Sequence, residues 1–522
     1  MKNNSRTKYS IRNLTFAMTG QVVGLVVSLI SRLVFVRYLT TDYLGLSGLF
    51  SNILTMLCLV ELGIGPAMTY SLYKPLAEDD QSKIKGLMGL YKKVYNIVGI
   101  VVIILGFMIL PFYRFLIKDV PSISHLDIIF ILFVLNTAVS YFYSYKQSLI
   151  NADQKRYITT CFQYAFFTLL QIVQIIVLIF TQNYIVFLIT QVIFTWVQNV
   201  AVSKYADNMY PYLKNKGYDK LSEEDLNPIK KNVGAMVFHK VGSMVVLATD
   251  NILISRILGL FWVGLYSNYN LITKSLNNVI YQVFNSIVAS VGNLGVQEDK
   301  EKVTDVFEKV FFLDFWIYGF SSICLFVLFN PFIRLWLGEK YLLDEPVVFI
   351  IVLNFYIYGM LKAVRTFRDA SGLYYYDRYK PIFEAVINLV ASIIFARKIG
   401  LSGILIGTIV STLTTCFWVE PWVLYRKCLS KPLRTYFILS FKYFAITSIV
   451  GTIAYGGCSL LPTHGLVAFV SKVGICTALP NLLFLLIFFR SEELMFYKKV
   501  LSPMFIKLVS RESRKLVSNP PR

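Results

Sequence analysis

Charge is scarce in this chain, histidine is rarer still, and nucleotide-binding motifs are missing. Only 16% of its 522 residues are charged, against about 25% in an ordinary soluble domain. The three histidines, His125, His239 and His464, stand too far apart to form a local metal motif. Seven cysteines are scattered with no CxxC pair, so neither a zinc site nor a disulfide framework is indicated. No Walker A sequence and no GxGxxG opening a βαβ unit occurs, which argues against ATP-driven transport by this chain alone. Loops long enough to fold as a catalytic domain are also lacking. These absences point away from an enzyme, and no cofactor is expected.

Apolar sequence takes their place. Hydrophobic residues make up 56% of the chain and the mean hydropathy is +0.60. They fall in runs such as Ile97 to Leu110, Phe166 to Phe180 and Leu482 to Phe489. A membrane span needs about 20 residues. About fourteen spans are expected, centred near 24, 58, 103, 136, 170, 194, 246, 276, 318, 357, 389, 412, 448 and 479. The expected class is an all-α polytopic membrane protein.

The net charge of +21 reads as topology, not as a nucleic-acid footprint. With the N-terminus inside, 38 of the 51 Lys and Arg fall on inner segments. Nine lie outside (Arg32, Arg37, Arg114, Lys118, Arg256, Arg334, Lys340, Arg397 and Lys398), and Lys240, Lys274, Lys442 and Lys472 lie within spans. Basic loops mark the cytoplasmic face, so both termini are expected there. The basic segment Met1 to Arg12 runs directly into the first span, as an uncleaved helix would.

The longest polar connection, about Lys204 to Lys231, divides six spans from eight. An echo links the halves: Gly48-Leu49-Phe50-Ser51-Asn52 returns 216 residues later as Gly264-Leu265-Tyr266-Ser267-Asn268. Arg156-Tyr157 and Arg378-Tyr379 form a second. Two six-helix pseudo-repeats around a central cavity are a transporter architecture. The expected organisation is a lobe over 1–207, an inter-lobe loop over 208–232, a second lobe over 233–428, two added helices over 429–490, and a basic tail over 491–522.

Polar residues recur at helical spacing in four spans. The eighth carries Ser267, Asn270, Lys274, Asn277 or Asn278, Gln282 and Asn285; the second carries Ser47, Ser51, Thr55, Cys58 and Glu61. Gln21, Gly24, Ser28 and Arg32 line the first, and His239, Ser243 and Asp250 the seventh, beside Lys240. Such faces avoid lipid, where an unpaired polar group costs several kcal/mol. They bond to neighbouring helices or line a wet chamber, and the simplest arrangement points all four at one cavity. Arg32 and Arg256 lie near span ends, where long side chains also reach the interface. Lys362, Arg365 and Arg368 form a basic face that topology explains as well as binding does. Cations outnumber acids among the candidates, favouring an anionic ligand. Glu61, Asp250 and Asp314 are candidates for charge pairing or for exchange of a coupling ion.

At these residues the chain resembles the Wzx-type polysaccharide flippases, relatives of the MATE drug exporters and the lipid II flippases. Carrying the resemblance are Arg32, Tyr43-Leu44-Gly45-Leu46 through Asn52, Glu61 through Ala67, Ser71 through Leu76, Asp250-Asn251 and Val263 through Asn268. The resemblance implies alternating-access translocation of an undecaprenyl-pyrophosphate-linked oligosaccharide from the inner to the outer leaflet. It also implies a place beside the polysaccharide polymerase machinery, with membrane lipids as neighbours. Its cationic cavity residues correspond here to Arg32, Lys240 and Lys274, then Arg37 and Arg256. Asn270 and Asn277 join the expected substrate contacts from the polar stripe. Rival readings are a lipid II or MATE-type transporter of the same fold, or a membrane-embedded glycosyltransferase or polymerase.

Overall fold

Apolar segments of this length satisfy their backbone groups internally only as helices. Accordingly, every regular element among the described residues is helical. The structure is a computed structural model that describes residues 2–61, 64–120, 123–214, 249–297, 299–373, 376–462 and 464–499. The first half holds α1 (Lys2–Tyr38), α2 (Thr41–Leu57), α3 (Ile64–Glu78), α4 (Gln81–Ile109), α5 (Leu126–Tyr141), α6 (Tyr145–Ala152), α7 (Arg156–Thr181) and α8 (Tyr184–Met209). Past the undescribed stretch come α9 (249–257), α10 (Leu260–Gln297), α11 (Lys300–Trp336), α12 (Glu345–Met360) and α13 (Lys362–Ala370). The chain continues through α14 (Lys380–Thr414), α15 (Cys416–Lys427), α16 (Arg434–Ser459) and α17 (Leu466–Ile487).

Local sequence sets several boundaries. Asp80 caps α4 by accepting from the Lys83 amide at 2.9 Å, and Asn183 caps α8 by accepting from Ile185 and Val186. Such side-chain oxygens satisfy amides that lack an intrahelical partner. Within α14 the helix breaks at Ile399 and Gly400, where Gly400 takes φ 59°; glycine adopts that left-handed conformation without a Cβ clash. The break separates the segments expected as the eleventh and twelfth spans.

Nine described helices or helix groups are long and apolar enough to cross a membrane, and ten qualify if the bent pair α5–α6 counts as one. This is a multi-pass membrane protein. The expected second span is not one helix: α2 gives way to a 3-10 turn over Cys58–Glu61 before α3 begins. Two expected spans run together in the Lys380–Lys427 group, and the seventh lies largely outside the described residues.

By packing, the chain forms two compact units. One comprises residues 1–283, 336–350 and 378–416; the other comprises 284–335, 351–377 and 417–522. In the first unit α1 packs chiefly along α7, α5 along α4 and α8, and α7 along α8. Its distant segments are tied in by specific bonds. Trp336 Nε1 donates to the Leu29 carbonyl at 3.0 Å, the Tyr341 hydroxyl donates to the Val36 carbonyl at 3.4 Å, and the Leu343 amide donates to the Tyr269 hydroxyl at 2.9 Å. The second unit packs α16 against α17 and buries a cluster of rings around Phe312, Phe315, Tyr443 and Phe488.

Two glycines, Gly45 and the echoed Gly264, have a steric role. A Cβ on Gly45 would collide with the Leu260 carbonyl, and one on Gly264 with the Thr41 carbonyl. So α2 and α10 cross backbone to backbone, the close approach that small residues permit in membrane helices.

Candidate functional site

The polar stripe of α1 faces α7. Gln21 accepts from the Tyr164 hydroxyl at 2.8 Å, Gly24 leaves room for the same ring, and Ser28 donates to the Gly24 carbonyl at 2.7 Å. Two turns above Gly24, Arg32 Nη1 donates to Ser267 Oγ at 3.1 Å. Ser267 in turn donates to the Gly264 carbonyl at 2.7 Å, so the α2–α10 crossing also fixes the partner of Arg32.

Beside Arg32 lies a cavity of about 470 Å³, walled by α1, α2, α7 and α8 with Leu271 of α10 at one edge. Its size is in the range of small-molecule sites, roughly 300–1,000 Å³. Arg32 is its one charged lining residue among those described, and no described carboxylate lines it. Gln163, Gln171 and Gln174 enter from α7, Gln191 and Gln198 from α8, and Ser28, Ser31, Ser47 and Thr195 add hydroxyls. Phe166, Phe167, Phe187 and Phe194 complete the same wall. Gln174 is buried and donates to the Phe187 carbonyl at 3.2 Å; Thr195 donates to Asn136 Oδ1 at 2.8 Å.

The carboxamides of Gln163, Gln171, Gln191 and Gln198 have no hydrogen bond to any described residue. An amide moved from water to an apolar setting without a partner costs roughly 2–7 kcal/mol. Gln163 is exposed and Gln171, Gln191 and Gln198 are half-buried, so the three half-buried amides are best satisfied by water or a polar ligand in the cavity.

A second polar cluster forms around Asp250 on α9. Thr408 Oγ1 lies 3.3 Å from both Asp250 carboxylate oxygens and accepts from Asn388 Nδ2 at 3.1 Å. One turn along α14, Ser392 donates to the Ile404 carbonyl at 3.0 Å. Asn388 is fully buried, and its Oδ1 has no partner among the described residues. This is a hard oxygen donor set with one formal negative charge, chemistry suited to a hard cation or a proton. Lys274, exposed on α10, is close enough to Asp250 for their charges to interact. No group of three or more His, Cys, Asp or Glu suited to a metal occurs among the described residues.

The other expected residues that the structure describes do not line the cavity. Asn270 and Asn277 are half-buried on α10, while Arg37 and Arg256 are exposed. Lys240 lies outside the described residues, as do His239 and Ser243. Glu61 sits in the 3-10 turn after α2, close to the hydroxyl of Tyr95 beside Gly65. Asp314 belongs to the second unit, where it is fully buried. Its Oδ2 accepts from the Ala363 amide at 3.0 Å, at the start of α13, with Lys362 and Arg365 in electrostatic range. That is helix capping with charge compensation.

The basic face of Arg365 and Arg368 is enclosed by acids. Arg365 Nε donates to Glu420 at 2.9 Å and its guanidinium lies over the Tyr358 ring at 4.4 Å. Arg368 pairs with Asp369, Asp377 and Glu420, of which Glu420 is fully buried and Asp377 nearly so.

The cavity glutamines escaped the sequence reading because attention to charge passed over neutral amides in the fifth and sixth spans. Their spacing was a usable signal. Positions 163, 171 and 174 share one face of a 3.6-residue helix, and 191 and 198 share another.

No known protein-family profile and no curated protein matches the sequence. Solved structures do. The inward-closed lipid II flippase MurJ superposes with a TM-score of 0.63 at 15% identity, covering 92% of this chain and 99% of MurJ. An inward-facing multidrug resistance MATE transporter of the MOP superfamily gives 0.62 at 13% identity, covering 80% and 98%. A mutant of the Vibrio cholerae MATE transporter VcmN gives 0.55 at 14% identity, covering 82% and 99%. The chain has the fold of the MATE and MurJ transporters. At these identities the likeness extends to architecture and not to substrate.

Proposed function

We propose that this protein is a flippase for undecaprenyl-pyrophosphate-linked oligosaccharide repeat units. It would move them from the inner to the outer leaflet of a bacterial cytoplasmic membrane by alternating access, with both termini in the cytoplasm. The observation that carries this reading is a polar intramembrane cavity holding Arg32 and, among the described residues, no carboxylate. Each sugar hydroxyl would lose about 4–8 kcal/mol on entering hydrocarbon, and a hydrogen-bonding cavity replaces that loss. The lipid tail can remain in the bilayer. Arg32 supplies a cation for the phosphate end, where a guanidinium makes charge-assisted bonds.

A MATE-type reading, with a cationic drug as cargo, finds no acid among the described lining residues to hold it. A lipid II flippase differs from the proposed activity mainly in the glycan. A glycosyltransferase or polymerase would need catalytic acids or a nucleotide-sugar domain, and the described cavity lining offers neither. Polysaccharide polymerase machinery would then receive the translocated units. Asp250, with Thr408 and Asn388, is the group we assign to ion coupling.

The test follows a lipid-linked oligosaccharide across the leaflets of vesicles with and without the purified protein. The expected result is protein-dependent appearance in the opposite leaflet. An unchanged distribution with well-folded protein overturns the proposal.

A further inference from the structure

We infer that the α7–α8 wall is a recognition surface for uncharged sugars, with Arg32, the one charged lining residue among those described, serving the phosphate. The inference rests on the flippase reading and names which part of the cargo each wall holds. A cavity meant chiefly for anionic groups would repeat its cations, and the described lining of this one has a single guanidinium. In place of further cations, Gln163, Gln171, Gln191 and Gln198 each present a carboxamide with no partner among the described residues.

A carboxamide offers two donors and two acceptor lone pairs on one plane. Neighbouring sugar hydroxyls each donate and accept, so one amide can satisfy a pair of them. Serine hydroxyls do so with a single group, and lysine only donates. The phenylalanines among the glutamines supply flat apolar faces, which suit the C–H faces of a pyranose ring. Amide edges beside aromatic faces thus match both halves of a sugar's surface. A uronic acid would meet no second cation on this wall, so the favoured repeat units carry neutral sugars next to the pyrophosphate.

The experiment measures binding in nanodiscs of three synthetic probes. These are a polyprenyl pyrophosphate bearing a neutral disaccharide, the same lipid without sugar, and the same lipid bearing a uronic acid-containing disaccharide. The wild-type protein is expected to bind the neutral disaccharide lipid at least tenfold tighter than the other two. The double variant Gln171→Leu/Gln198→Leu should lose that tenfold while binding the sugar-free lipid within about twofold of wild type. If the double variant does not fold, Gln171→Asn, which keeps the amide but retracts it, must show the same selective loss. Equal loss on all probes, no loss on any, or a preference for the uronic acid overturns the neutral-sugar assignment. Binding of none of the three by folded wild type overturns the flippase reading with it. Wild-type transport of the disaccharide lipid, unaltered in the glutamine variants, removes the amide wall and leaves the flippase standing.

Discussion

Two polar regions lie among the apolar helices of this protein, and they are built on opposite plans. The Arg365–Arg368 cluster of the second unit joins buried opposite charges, each acid facing a guanidinium. The cavity beside Arg32 gathers neutral amides that face no partner among the described residues. Charge in a membrane is expensive, about 2.5–3.5 kcal/mol per group on the lenient scale, and is tolerated where it is compensated on the spot. An amide costs less to bury and can be left waiting for a ligand. Closed ionic clusters therefore hold helices together here, and the open amide surface fits the binding wall proposed above.

The sharpest way to break this contrast is Glu420→Ala. Removing one acid from a buried pair typically destabilises by about 3–5 kcal/mol, so thermal melting in detergent should show a large drop. An unchanged melting temperature would mean the cluster is solvated, and the contrast would collapse. Arg32→Ala should leave melting nearly unchanged, since the arginine gives up one hydrogen bond to Ser267. Leaflet transport should fall at least tenfold, equivalent to about 1.4 kcal/mol. Normal transport would move the phosphate site elsewhere. Asp250→Asn removes the one formal negative charge of the α9–α14 cluster. Transport is expected to persist at a several-fold lower rate and to lose its response to imposed proton or sodium gradients. A gradient response equal to wild type would assign Asp250 to packing. The smallest effect is expected from Gln191→Leu. No bond to a described residue is lost, so stability should stay within about 0.5 kcal/mol of wild type. A substantial loss of stability would show that the amide has a structural partner and is not open.

Much of the architecture was legible because hydropathy reports directly on a membrane's thickness, and the long apolar runs became helices. The helical spacing from Gln21 to Arg32 likewise placed Arg32 on a polar face, and the Ser28–Arg32 end of that face lines the cavity. Less legible was the fate of each charge. Asp314 looked like Asp250 in the sequence, since both are single acids in apolar helices. One caps α13 and the other joins a threonine and asparagine from α14. The difference depends on which helix packs alongside, and periodicity within one helix carries no such information. Glu61 illustrates the same limit, because its helix breaks into a 3-10 turn that the apolar pattern does not announce. The glutamines were visible as a helical face, but charge drew the reading elsewhere.

The bond from Trp336 to the Leu29 carbonyl has a consequence for how the protein is made. It joins positions 307 residues apart, and the Tyr341 bond to Val36 repeats the arrangement. At about 5–20 residues per second, ribosomes reach Trp336 roughly 15–60 s after Leu29. During that interval the first helix sits in the bilayer without the segment that completes its packing. Every described residue lining the cavity beside Arg32 lies between Ser28 and Leu271, so the Trp336 and Tyr341 bonds brace α1 after that wall has been synthesised. A nascent chain halted before Trp336 should crosslink to lipid or to the insertion machinery along α1 near Leu29 and Val36, and one halted after residue 416 should not.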